Sequence, residues 1–199
     1  MFDRISTNDV ILAFFPCVRF EQQILLWFRG ESKQQRNTSD IDKLEMCLKL
    51  HKELGENYKL ITMLSIVVLR KGLSMVFENP YSEQHYLTKY WCLKPAVIDK
   101  DRTLNGDYFK KPTQYWFIGL KPKHNLVFEA IEYVPKIQIN NLWGTKHDDV
   151  VMRSKIHPQY ANRFIRQYLI DGEPGTETKE QMDIWDFIGD CDNGNLAKH

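Results

Sequence analysis

Residues 60 to 80, LITMLSIVVLRKGLSMVFENP, join an apolar helical stretch to a short buried strand. Two cations precede Gly72, and cations followed by a glycine are typical of the last turn of a helix. The run that follows, residues 73 to 79, is short, continuous and apolar, which is typical of a strand covered on both faces. Pro80 has no backbone N–H to donate, so we expect the strand to stop there.

The sequence upstream of this stretch predicts the partner strand. Residues 9 to 15, DVILAFF, form a second short apolar run, and the polar segment at 29 to 38 predicts a surface loop. A long helix should begin near Ser39, which forms a plausible capping pair with Asp42. A strand, a long helix and a second strand make a βαβ unit, so we expect two parallel strands and a right-handed crossover.

The rest of the chain predicts further elements of the same class of fold. We expect strands at 96–99 and 113–120, a hairpin or edge strand at 125–134, a loop at 135–152 and a helix at 157–170. The prediction is an α/β domain with three layers and a parallel-cored sheet, over residues 1–170. A linker and C-terminal tail should occupy residues 171–199.

Composition limits the classes of function without selecting one. The chain has 199 residues, with 27 basic and 26 acidic side chains, so its bulk charge favours no partner. Its four cysteines are widely spaced with no CxxC pair, which predicts neither a metal site nor a disulfide scaffold. The longest apolar run, residues 60 to 69, is too short to span a bilayer. We therefore expect a cytoplasmic protein that does not act at a membrane.

Chemically useful side chains follow the two predicted parallel strands. Pro16 and Cys17 come after the first strand, and Glu78, Asn79 and Pro80 end the second. Open α/β sheets place their ligand sites at the carboxyl ends of parallel strands, so the thiol and the carboxylate can meet in one cleft. Two interpretations of Cys17 stay open from the residues alone: a buried thiol at a strand end, or a nucleophile presented by a turn.

Four short motifs in order resemble one enzyme family. FFPC (14–17) and FENP (77–80) are followed by KPT (111–113) and by RSKIHP (153–158). Together they resemble DNA cytosine-5 methyltransferases, especially the short methyltransferase-like proteins of phages and prophages. The resemblance covers about residues 9 to 170 and implies a partial Rossmann-like methyltransferase fold.

The resemblance implies a covalent mechanism on DNA. Cys17 would attack C6 of a cytosine flipped out of the duplex, and C5 would then take a methyl group from S-adenosylmethionine. Glu78 would assist at N3, and Asn79 and Pro80 would shape the turn. Pro16 would fix the backbone ahead of the thiol.

The resemblance also suggests which cations contact the substrate. The paired arginines usual in the family are absent, and Lys110 and Lys111 are their only substitutes. Arg153, Arg163 and Arg166 make a second basic cluster in or beside the last helix, where phosphate contact and a plain polar face are both open.

The cofactor half of the family's fold is expected to be incomplete in this chain. Only sixteen residues precede Cys17 and none is glycine, whereas a Rossmann-type site needs a strand and a glycine turn there. Three explanations stay open: a fragment, a short descendant that binds without reacting, or a protein partner or self-association that completes the fold. A non-catalytic nucleic-acid- or protein-binding module, related to phage–host conflict, is therefore the alternative function.

A lesser alternative comes from Asn79, Pro80 and Tyr81. This run resembles the Asn-Pro-Pro-Tyr motif of amino-methyltransferases, in which the asparagine binds the target amino group and the aromatic ring stacks on the base. One proline of that motif is missing, and Cys17 has no role in such a mechanism.

Overall fold

The computed structural model describes residues 4–15, 17, 19–21, 24–131 and 155–171. Their strands are β1 (Val10–Phe14), β2 (Ser74–Pro80), β3 (Val97–Asp99) and β4 (Thr113–Ile118). Their helices are α1 (Ile24–Phe28), α2 (Asp40–Arg70), α3 (Tyr86–Tyr90) and α4 (Pro158–Tyr168), and a 3₁₀ turn spans Arg102–Asn105.

The predicted start and end of the long helix are confirmed. Ser39 Oγ accepts a hydrogen bond from the Asp42 backbone N–H, and the Asp42 carboxylate accepts one from the Ser39 N–H, which completes a capping box. The helix runs without a break through Gly55 and ends before Gly72, which adopts φ +64°. No helix among the described residues is both long and apolar enough to cross a bilayer.

The four strands form one mixed sheet in the order β1-β2-β4-β3. β1 and β2 are parallel, as the βαβ pattern predicts, and α2 connects them. β4 lies antiparallel between β2 and β3, so β1, β2 and β3 share one direction. The α/β class is confirmed, and the parallel part of the sheet is limited to the β1–β2 pair.

The two faces of the sheet are covered by different helices. Met75, Phe77 and Trp116 point toward α2, and Phe77 stacks on Trp116 with ring centroids 4.9 Å apart. Val76 and Tyr115 point the other way, toward Tyr160 and other apolar residues of α4. Successive strand residues alternate between faces, so each β2 side chain is assigned to one helix or the other.

The hairpin strand predicted near residue 125 does not form within residues 125–131. This segment instead bonds to the carbonyl end of α4. The Asn125 N–H donates to the Gln167 carbonyl at 2.8 Å, and its side-chain amide donates to the Arg166 and Ile170 carbonyls at 2.8 and 2.7 Å. These bonds satisfy helix-end carbonyls that a strand pairing would leave open. Residues 132–134, the predicted loop at 135–152 and the tail beyond Asp171 lie outside the described residues.

Gly119 directly follows β4 and lies close to the backbone at the start of β2. Its φ is +78°, and a Cβ placed on it would lie 2.3 Å from the Leu73 carbonyl oxygen. Only glycine fits such a close backbone approach in this conformation.

Candidate functional site

Glu78 occupies a position that two neighbouring strands define. It lies opposite Phe14 of β1 and Tyr115 of β4, so its side chain points to the α4 face of the sheet. The side chain is 15% exposed, and Oε1 lies 3.7 Å from Lys111 Nζ. Oε2 is buried and accepts no hydrogen bond from the described residues. A buried acceptor without a donor is costly, so this oxygen favours a ligand that brings an N–H or O–H group.

Cys17 follows the end of β1 and is half-buried. Burial, together with the nearby carboxylates of Glu21 and Glu78, raises the pKa of its thiol to about 12, although Lys111 acts in the opposite direction. Cys17, Glu78 and Lys111 therefore lie close enough for their charges to act on one another. A thiol with this pKa is protonated at neutral pH, and the thiolate is the nucleophilic form. Pro16, the predicted support for the thiol, lies outside the described residues.

Asn79 faces the opposite side of the strand from Glu78 and is fully buried. Its side-chain N–H donates to the Glu78 carbonyl at 2.8 Å, and its Oδ1 is buried without a donor among the described residues. This side chain supports the strand end from inside and has no route to a base in solution. Sequence reasoning gave no sign of this complete burial.

Pro80 ends β2 and is tied to the beginning of β4. Its carbonyl accepts from Gln114 Nε2 at 2.8 Å, and the Tyr81 N–H donates to the Pro112 carbonyl at 2.8 Å. Because Lys111 directly precedes this region, the two bonds hold the lysine beside β2 and within reach of Glu78.

The other predicted cations occupy different places. Lys110 is 72% exposed and lies 3.9 Å from Asp101 Oδ2, away from the Glu78 ion pair. Arg166 forms an ion pair with Glu129, and Arg163 donates weakly to the Glu129 carbonyl at 3.5 Å. Arg153 lies outside the described residues. Of the predicted basic residues that the structure describes, only Lys111 lies beside the Glu78 carboxylate.

A small apolar cleft opens beside Glu78, between β1 and α4. Its cavity volume is about 70 Å³. Its walls include Leu12, Phe14, Val76 and Tyr115 of the sheet and Ile156, Ala161 and Ile165 in or before α4. Leu12 and Phe14 are 45% and 64% exposed. The cleft therefore combines apolar walls with one carboxylate.

Two residues near this site were missed by sequence reasoning. The turn after Cys17 places the Glu21 carboxylate near the thiol, where it raises the pKa of Cys17. His85, five residues past Pro80, is 1% exposed, and neither ring nitrogen has a partner among the described residues. Burial lowers the pKa of His85 to about 4, so the ring is neutral at pH 7.

The described residues do not provide the glycine turn that a Rossmann-type S-adenosylmethionine site requires. Their positive-φ glycines are Gly30, Gly72, Gly106 and Gly119, and none directly follows β1 or β2. No group of three or more His, Cys, Asp or Glu side chains in the same ranges is arranged to hold a metal ion. No protein-family model, curated protein or solved structure matches the chain.

Proposed function

We propose that the chain is a DNA cytosine-5 methyltransferase-like module that binds an unstacked cytosine, without attacking it, in the cleft beside Glu78. The observation that carries the proposal is the Glu78 carboxylate, with one oxygen 3.7 Å from Lys111 Nζ and the other buried and without a donor. The polar edge of cytosine offers an amino group beside two acceptors. The amino group would donate to Oε2 of Glu78, and Lys111 would donate to the acceptors.

Non-covalent binding fits the state of the thiol. A nucleophilic role needs a lowered pKa, and burial with two carboxylates nearby acts on Cys17 in the opposite direction. The described residues also lack the glycine turn of a Rossmann-type S-adenosylmethionine site, so the proposed binding does not include methyl transfer.

The part of the sheet that supports a methyltransferase-like origin is the β1–β2 pair. These strands are parallel and joined through α2, and Cys17 and Glu78 lie at their carboxyl ends, where open α/β sheets place their ligand sites. β4 is an interior antiparallel strand, so the proposal rests on the parallel pair and not on the whole sheet.

A binding measurement tests the proposal. The chain would be titrated against two fluorescent DNA duplexes that differ only at one mismatched base, cytosine in one and thymine in the other, because mismatched bases leave the stack most easily. We expect tighter binding to the cytosine duplex, and Glu78→Gln should reduce that preference by about tenfold. Glu83→Gln, an exposed carboxylate past the end of β2, is the matched control and should change nothing. Equal affinity for the two duplexes would contradict the proposal.

The juxtaposition of Cys17 with Glu78 and Lys111 favours covalent methyl transfer as a second candidate. In that case another polypeptide would supply the cofactor-binding part, and binding of cytosine would have to lower the pKa of the thiol. Incubation with 5-fluorocytosine DNA and S-adenosylmethionine decides between the candidates. A covalent adduct that Cys17→Ser abolishes would establish the enzyme, and its absence, in the presence of cytosine-selective binding, would leave the binding module.

A further inference from the structure

A second cavity, of about 290 Å³, lies between the β3 side of the sheet and α4. It shares three wall residues with the cleft beside Glu78, namely Tyr115, Tyr160 and Phe164. Its other walls come from β3, the turn that follows β3 and the C-terminal half of α4, and it includes neither Glu78 nor Cys17. Its volume is at the lower end of the range for small-ligand pockets, about 300 Å³.

One wall of this cavity is aromatic. The rings of Phe164 and Tyr168 lie with centroids 5.1 Å apart, and Phe164 packs on Tyr115 at 4.3 Å. Aromatic side chains that line a cavity offer faces on which a planar ring can stack. The wall therefore favours a flat ligand over a branched or extended one.

Two amides supply the polar contacts. The Gln167 side chain lines the cavity and makes no hydrogen bond with the described residues. Asn105 donates from its amide nitrogen to Asp99 Oδ2 at 3.0 Å, and its amide oxygen accepts nothing from the same part of the chain. An amide presents a donor and an acceptor side by side, which is the pattern along the edge of a nucleobase.

The charges around the cavity nearly cancel. Lys100 and Arg163 line it together with Asp99 and Asp101. The Asp99 carboxylate already accepts hydrogen bonds from the Tyr160 hydroxyl at 3.1 Å and from the Asp101 N–H at 3.0 Å, so it is less available to a ligand. Two cations and two carboxylates give no net attraction for an ion, so a neutral ligand fits this lining better than a phosphate.

We propose that this cavity binds an uncharged nucleobase or nucleoside. The ring would stack on one of the two tilted rings, Phe164 or Tyr168, and its edge would form hydrogen bonds with Gln167 and Asn105. This second site goes beyond the cytosine cleft and does not depend on it, since Glu78, Lys111 and Cys17 take no part.

The test follows the side-chain amide signals of the full chain by ¹H–¹⁵N NMR during titration with adenosine, cytidine, guanosine and uridine. We expect at least one nucleoside to shift the Gln167 and Asn105 amide signals saturably. Gln167→Glu, which replaces the amide donor with a carboxylate oxygen, should weaken that binding by about tenfold. Gln34→Glu makes the same change in an exposed loop and should have no effect.

Several outcomes would overturn the proposal. The amide signals could stay in place with all four nucleosides, or the Gln167→Glu chain could bind as tightly as the original. Saturation of the same signals by inorganic phosphate alone would show an anion site instead. If Gln167→Glu does not fold, the amide shifts of the unaltered chain decide whether the cavity binds a nucleoside. Loss of this binding in Glu78→Gln would show that the nucleoside occupies the cytosine cleft, which separates the two proposals.

Discussion

Lys111 Nζ lies 3.7 Å from Oε1 of Glu78, at the point where β4 begins beside the end of β2. The lysine side chain is 29% exposed and the glutamate 15%. Water therefore still screens the pair, and we expect it to add less than about 1 kcal/mol to the free energy of unfolding. Its importance lies in the placement of a donor and an acceptor at one cleft.

The two adjacent lysines give the first prediction. Lys111→Gln should reduce affinity for the cytosine-mismatch duplex by about tenfold, because it replaces the cationic donor beside the carboxylate with a shorter neutral amide. Lys110→Gln removes the same charge one residue earlier, from a side chain that is 72% exposed, and should cause a smaller loss. Fluorescence anisotropy at one fixed salt concentration measures both. Equal losses would mean that the lysines act only through general attraction to phosphate.

The second prediction concerns the reactivity of the thiol. Because burial and the nearby carboxylates raise the pKa of Cys17 to about 12, iodoacetamide should modify it slowly at pH 7.5. The exposed Cys92 should react much faster, and peptide mass spectrometry follows each site separately. Glu21→Gln removes one of the charges that raise this pKa, so it should speed modification of Cys17 and leave Cys92 unchanged. Modification of Cys17 at the rate of Cys92 in the unaltered chain would contradict the raised pKa.

The third prediction is a loss of stability in acid. His85 is buried and neutral, and burial lowers its pKa from 6.5 to about 4. Below pH 6.5 the unfolded chain takes up a proton that the folded chain does not, so the free energy of unfolding falls as the pH drops from 6.5 to 4. The loss should total roughly 3 kcal/mol.

Urea unfolding at several pH values measures this loss. His85→Gln should flatten the dependence between pH 6.5 and 4, whereas His51→Gln, at an exposed position in α2, should retain the slope of the unaltered chain. An unchanged slope in His85→Gln would assign the acid sensitivity to other groups.

The fourth prediction concerns a buried ion pair beside the second cavity. Arg102 and Asp107 are each 1% exposed and form an ion pair, and the Arg102 guanidinium lies 4.5 Å from the Tyr160 ring centroid. Arg102→Met leaves the Asp107 charge buried without its partner, which should cost about 3–5 kcal/mol.

A second variant separates charge from packing at this pair. Arg102→Met together with Asp107→Leu removes both charges and should recover most of the lost free energy of unfolding. Lys123→Met, which breaks the exposed pair with Asp171, should stay within about 1 kcal/mol of the original chain. Failure of the double variant to recover would show that packing of Arg102 on Tyr160 carries the stabilisation.

The sequence predicted the elements whose signals are local. Two apolar runs predicted the strands β1 and β2 and their parallel pairing. The Ser39–Asp42 capping pair and the cations before Gly72 predicted where α2 begins and ends. The position of β4 between β2 and β3 was not predicted, because it depends on pairing across a long stretch of chain that no local pattern encodes. The failed strand near residue 125 has a similar cause, since the carbonyls at the end of α4 bind that segment instead.

The candidate site was predicted in part. The predicted direction of the two strands led us to expect Cys17 and Glu78 at neighbouring strand ends. In the structure the Glu78 charge raises the pKa of Cys17, so the two side chains lie near each other. Lys111 was named only as a substitute for missing arginines, and its approach to Glu78 depends on the bonds between Pro80 and the start of β4. Strand alternation places Asn79 on the opposite face from Glu78, but its complete burial and the raised pKa of Cys17 depend on how distant elements pack, which the sequence does not show.

The observed pairing of β2 with β4 requires glycine at position 119, because a Cβ there would lie 2.3 Å from the Leu73 carbonyl oxygen. A slip of one residue along this ladder would turn every β2 side chain to the other face of the sheet. Glu78 would then point into the aromatic layer beneath α2, and Asn79 would point toward the cleft. The side chain that faces the cleft thus depends on a strand register that only glycine permits at the opposite end of β2.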